Sequence, residues 1–270
     1  MVHERGNKLP KFISFQHRGE RALTKYLDKH PLVVPTSENT HIAILLSDSK
    51  AARLQAVDTG QEFPLEYLYQ KGKNTESLVK LLDKNLKIIT EKHGKPPVVY
   101  VWAGTCDITT KTTHPYINIK QIGDVSPAEV IRQYEKAKTR TLSSGGKIKF
   151  IGLPIYSVSE YNRVKGHPEW AQFVGSDREV ERQIEYLNEK IVELNADVAR
   201  HTLKFNADLR DLRHKNKPTY YYDLLEDGLH PGKLLSEKWL RKLKIDITRE
   251  CYAQPGDAIT VDPQEYVQFE

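Results

Sequence analysis

The sequence predicts an open α/β domain built on a mainly parallel, five-stranded sheet. Three observations carry that expectation. His41–Leu46 and Pro97–Trp102 are continuous apolar runs, the pattern of strands buried on both faces. Such runs alternate with stretches whose apolar residues recur at helical spacing, which implies right-handed crossovers between parallel strands. Each run also stops abruptly in a polar or glycine-containing turn, and those turns share the carboxyl edge of the sheet, where open α/β sheets place their sites.

In chain order, residues 1–37 read as a lead-in: a short strand over Lys11–Gln16, a short helix over Arg18–Lys29 and an extended Pro31–Pro35 linker. The main domain spans 38–250. Its first strand, ending at Leu46, leads through Ser47-Asp48-Ser49-Lys50 into a helix from Ala51 to Val57. A second strand near Leu65–Tyr69 runs through Lys71-Gly72-Lys73-Asn74-Thr75 into a helix with Leu78, Leu81, Leu82, Leu86 and Ile89 on one face. The third, ending at Trp102, breaks at Gly104-Thr105-Cys106-Asp107. Thr113–Ile122 suits a surface hairpin, and Ser126-Pro127-Ala128-Glu129 reads as an N-cap, a first-turn proline and a capping-box glutamate.

Lys147–Leu153 is the fourth strand. Beyond it, Tyr156–Gly175 is a long loop with Tyr156, Tyr161, Arg163, Lys165, His167, Trp170 and Phe173, suited to cover the sheet edge as a lid or to stack on a nucleic acid. Ser176 then caps a helix to about Leu203, whose apolar stripe fits packing on the sheet better than a coiled-coil seam. Arg200–Lys217 is basic and loop-like, Thr219–Asp223 is the fifth strand, and a basic helix ends near Arg249. Residues 251–270 contain no Lys or Arg and read as an acidic tail.

The chain of 270 residues is long enough for one large domain, and no apolar run approaches the ~20 residues that cross a bilayer. Two cysteines are too few for a disulfide framework and point to a reducing intracellular, cytoplasmic setting. A net charge of +5 permits nucleic-acid contact without a dense basic block to argue for it. No His-x-x-x-His pair or cysteine cluster suggests a metal, and no cofactor motif is present.

The chemistry converges on the strand ends. Asp227-Gly228-Leu229-His230 places a carboxylate and an imidazole three residues apart in a tight turn, the orienter and base of a nucleophilic triad or simply a polar turn into a helix. Ser49 is the nucleophile to match, or a helix N-cap. Gly72 offers a backbone N–H to a ligand or serves only its turn. The order Ser, Asp, His at successive strand ends is far more specific than any one piece.

With those residues in place, the chain resembles the SGNH (GDSL-type) hydrolase superfamily, including SGNH-like domains in animal retroelement reading frames. The resemblance covers roughly residues 38–250 and implies a flavodoxin-like, three-layer α/β/α sandwich. Ser47-Asp48-Ser49 corresponds to the Gly-Asp-Ser block, Gly72 to the oxyanion glycine, Gly104-Thr105-Cys106-Asp107 to Gly-x-Asn-Asp, and Asp227 with His230 to Asp-x-x-His. It implies Ser49, Asp227 and His230 as catalytic residues and Ser49, Gly72 and Cys106 at the oxyanion position. Asn74, Gly104, Asp107, Tyr156, Tyr161 and Trp170 then line the substrate. Two departures stand out: Ser47 replaces the block's glycine, and Cys106 replaces the amide-bearing Asn. The leading expectation is a serine esterase acting on acyl or acetyl esters. The alternative is a weak or inactive domain on the same fold that binds nucleic acid or a protein, a mode distinguished by its steep salt dependence where nucleic acid is the partner.

Overall fold

The computed structural model describes residues 12–60, 64–199, 201–211 and 219–252. Four parallel strands form the central sheet: β1 (Ile42–Ser47), β2 (Leu65–Tyr69), β3 (Pro97–Trp102) and, after a hairpin of β4 (Thr109–Lys111) and β5 (Ile117–Ile119), β6 (Lys147–Phe150). Their order is β2-β1-β3-β6, so the chain reverses its direction of travel across the sheet between β1 and β3. That switch point is where a crevice opens at the carboxyl ends of the strands.

The helices are α1 (Phe12–Lys29), α2 (Ala51–Val57), α3 (Thr75–His93), the single turn α4 (Thr105–Ile108), α5 (Val125–Ser143), α6 (Val158–Val164), α7 (Val174–Ala196) and α8 (Lys233–Cys251). α3, α5 and α7 pack side by side on one face, and α8 packs with α1 and α2 on the other, which makes three layers. Every residue of β1 and of β3 is buried, as expected of strands covered on both faces. β2 is the edge strand and only half-buried. Val180, Ile184, Leu187, Ile191 and Leu194 of α7 are all buried, so the stripe serves packing within the domain.

Several expectations shift. Among the described residues the sheet has four strands rather than five. Thr219–Tyr220 (β8) instead forms a two-residue antiparallel ladder with Arg210–Asp211 (β7), and Tyr222–Leu224 turns into a 3-10 helix. The fifth place in the sheet is held by one parallel bridge from Gly152 to Lys204. The run takes its backbone and side-chain partners outside the central sheet. The Tyr220 hydroxyl reaches Glu185 at 3.2 Å.

Residues 12–16 belong to α1 rather than to a strand; this helix packs on α8, burying Leu23. The hairpin begins at Thr109, a few residues before its expected place. α5 starts at Val125 with Asp124 as N-cap, and the Ser126 hydroxyl accepts from Gln121 rather than capping. Ser176 donates to Asn118 and does not cap α7, which ends at Ala196 instead of near 203. The long loop contains α6 and a 3-10 turn over Trp170–Phe173. The acidic tail from residue 253 onward and the basic stretch 212–218 lie outside the described residues.

Candidate active site

β1 ends at Ser47, whose hydroxyl donates to the Trp102 carbonyl and ties the ends of the two switch-point strands together. The chain then turns through Asp48-Ser49-Lys50. Asp48 and Lys50, both buried, form an ion pair at 2.6 Å, and the Lys50 ammonium also donates to Thr105 Oγ1 at 2.7 Å and lies 5.4 Å from the Trp102 ring centre. A buried charge is tolerated when it is paired and its remaining donors are occupied. The pair braces the turn from below and leaves the intervening Ser49 side chain on the open side.

Ser49 does not cap α2, whose N-cap is Lys50 without a side-chain bond. Its Oγ instead lies 2.9 Å from His230 Nε2. His230 Nδ1 faces the Asp227 carboxylate, 3.1 Å from Oδ1 and 3.0 Å from Oδ2. In the neutral imidazole, a carboxylate against Nδ1 favours the proton on that nitrogen, which leaves Nε2 to accept from the serine hydroxyl.

Asp227 does both jobs its turn suggested. Oδ1 accepts the Leu229 N–H at 3.2 Å and the His230 N–H at 2.9 Å, closing an Asx turn, while the same carboxylate holds the imidazole. The turn is pinned at its base by the Leu225–Pro231 bridge and by Glu226 N–H to His230 O at 2.7 Å. Burial pushes the Asp227 carboxyl up. The bond to His230, its charge and the two N–H donors outweigh this and hold it well below the usual carboxylate range. Gly228 has φ +77°, and a Cβ there would stand 2.8 Å from the Tyr161 backbone nitrogen; only glycine lets α6 dock this closely.

The remaining expected residues divide. Gly72 follows β2, which pairs in register with β1 up to Ser47–Tyr69, so its turn lies beside the serine turn. Its φ of +68° in open space explains the glycine. Among the described residues, the N–H groups of Ser49 and Gly72 have no protein acceptor. Cys106 is part-exposed on α4, and burial together with the Asp48 carboxylate pushes its thiol up to about 12, so it is protonated at neutral pH. Gly104, at φ +129°, supplies the carbonyl that opens α4.

Asp107 lies beneath the surface. It is buried, accepts Thr75 N–H at 3.0 Å and Thr75 Oγ1 at 2.9 Å, and so clamps the start of α3 to the α4 turn. Burial raises its carboxyl to about 6, in spite of the Thr75 donors. Asn74 is the N-cap of α3, its carbonyl oxygen accepting from Ser77 N–H and Oγ. Tyr156 is 2% exposed, beneath the surface rather than lining a cleft. Tyr161 lies on α6 beside the Asp227 turn, and Trp170 is at the surface on its 3-10 turn, 39% exposed. The Lys50 brace has its sequence signal in an Asp-Ser-Lys triplet directly after a fully buried strand, where an unpaired lysine has no reason to be.

A serine hydroxyl, an imidazole of fixed tautomer and an ionised carboxylate in series can generate an alkoxide-like nucleophile without a metal ion. Neither a protein-family model nor a curated protein sequence matches the chain. Solved structures do match. A GDSL-like lipase from Bacteroides thetaiotaomicron is 12% identical with a TM-score of 0.54, over 87% of this chain and 98% of that one. A Bacteroides fragilis protein assigned as an acylhydrolase is 11% identical with a TM-score of 0.54, over 84% of this chain and 96% of that one. At such identities the likeness is one of fold, and the chain has the α/β fold of these GDSL-like lipases and acylhydrolases.

Proposed function

We propose that the chain is a serine hydrolase that cleaves acyl or acetyl esters through an acyl-enzyme. The observation that carries this reading is the unbroken series Ser49–His230–Asp227, at 2.9 and 3.0 Å, standing at the switch point of the sheet. In the first half-reaction Ser49 Oγ bonds to the ester carbonyl carbon as His230 Nε2 takes the hydroxyl proton. The carbonyl π electrons move onto oxygen, and the N–H groups of Ser49 and Gly72 receive that oxyanion. When the tetrahedral intermediate collapses, the bond to the alcohol oxygen breaks and His230 returns the proton to it. Water repeats the sequence and releases the acid. Asp227 stays ionised throughout and stabilises the imidazolium.

Cys106 limits the rate in this account. A protonated thiol is a poor donor beside an amide, and one oxyanion donor typically contributes on the order of a hundred- to a thousandfold. Cys106→Asn is therefore expected to raise kcat on a simple aryl acetate by about tenfold or more, roughly 1.4 kcal/mol of transition-state stabilisation. Stopped-flow release of the aryl alcohol reads both the burst and the turnover. A folded Cys106→Asn protein with unchanged or lower kcat overturns the slow-esterase account and points instead to Asn74, whose amide nitrogen has no acceptor among the described residues.

A further inference from the structure

The long segment after β6 touches the candidate triad at one charged group. Lys165, the C-cap of α6, places its ammonium 3.4 Å from Asp227 Oδ2, the oxygen that also lies 3.0 Å from His230 Nδ1. It sits 5.1 Å from the Tyr161 ring centre, so the aromatic ring and the carboxylate hold it from two sides. The helix that carries it is fixed to the same turn: Ser157 N–H donates to Gly228 O at 2.9 Å, and Tyr161 and Glu160 abut Gly228.

The other charges around His230 are balanced locally. From α2, Arg53 pairs with Glu226 at 2.9 Å; on α6, Glu160 pairs with Arg163; beneath Ser49, Lys50 pairs with Asp48. Lys233, at the start of α8, is exposed to solvent, and the Tyr161 hydroxyl is neutral at physiological pH, raised by burial. Lys165 differs from all of these because its partner is the carboxylate that orients the base.

We propose that Lys165 is a positioning residue that acts through Asp227 to keep His230 less basic than the carboxylate alone would make it, and so couples α6 to the catalytic base. Asp227 favours the imidazolium by its negative charge. A cation 3.4 Å from the same carboxylate oxygen cancels part of that field and repels the imidazolium, while it helps to fix the position of Oδ2.

The proposal builds on the esterase reading, but its test does not need turnover. The imidazole titration of His230 is followed by NMR in the full chain, the resonance being assigned by its loss in His230→Gln. Lys165→Gln is expected to raise the midpoint by about half a pH unit or more, with a smaller difference in high salt because the site is part-exposed. Lys165→Met, which keeps the stem over Tyr161, is expected to do the same, and Lys165→Arg to stay near the wild-type midpoint. The acid limb of kcat/KM should move with it. An unmoved midpoint in folded Lys165→Gln and Lys165→Met overturns the proposal, as does a uniform loss of rate at every pH with the limb in place, which marks a purely structural support. Absence of any Ser49-dependent hydrolysis in the wild type, in contrast, overturns the esterase reading and leaves the titration to decide the role of Lys165.

Discussion

Ser49→Ala is expected to lower kcat on an aryl ester by about ten-thousandfold to a millionfold while the protein stays folded. The hydroxyl has one described partner, the His230 nitrogen, and it neither caps α2 nor joins the buried Asp48–Lys50 pair. Its removal should therefore change stability by no more than about 0.5 kcal/mol. His230→Ala should cost about as much in rate, and the double variant little more than either alone, because groups acting as a unit lose their effect together. Urea midpoints measured beside the kinetics separate lost chemistry from lost fold. Two single losses that multiply in the double variant would contradict a shared nucleophile–base function.

Asp227→Asn is the second large effect, about ten-thousandfold in kcat. The asparagine oxygen can still accept the Leu229 and His230 N–H groups, so the Asx turn should survive. What changes is the group facing Nδ1: an amide N–H there forces the imidazole proton to Nε2, and a donor then faces the serine hydroxyl where an acceptor is needed. The charge that stabilises the imidazolium is lost as well. Stability gives an independent reading. The Asp227 carboxyl is held below its ordinary range, so it contributes stability above the unfolded carboxylate pKa, and that contribution is lost as pH falls through the folded value. Asp227→Asn should flatten the acid side of the stability curve. A kcat reduced less than about tenfold would leave Asp227 as a turn residue only.

The fold was legible where burial on two faces left one pattern. Ile42–Leu46 and Val98–Trp102 can only be central strands, and Val180 to Leu194 mark a helix face that must be covered. The Thr219–Asp223 run reads as a strand because an aromatic stretch looks strand-like whether or not a sheet has room for it; it pairs with Arg210–Asp211 and then turns into a 3-10 helix. Residues 12–16 misled because Phe12, Ile13 and Phe15 resemble a short apolar run until the helical spacing through Leu23 is added. At the candidate site, the approach of Ser49, Asp227 and His230 to one another is legible because each follows a strand or fills a tight turn. The contacts between separate loops were not: Lys50 to Thr105, Asp107 to Thr75 and Lys165 to Asp227 join residues whose spacing in the chain carries no period. Asp107 has the place of a site residue in its block, and the structure adds its burial and its bonds to the start of α3.

The measurement closest to the central claim is labelling with a fluorophosphonate, which bonds covalently to a serine only where a base activates its hydroxyl and donors hold the developing oxyanion. The account predicts one adduct on the wild-type chain, mapped by mass spectrometry to the peptide containing Ser49 and absent from Ser49→Ala and His230→Ala. A folded wild-type protein that takes no label, or one labelled equally after Ser49→Ala, would contradict it.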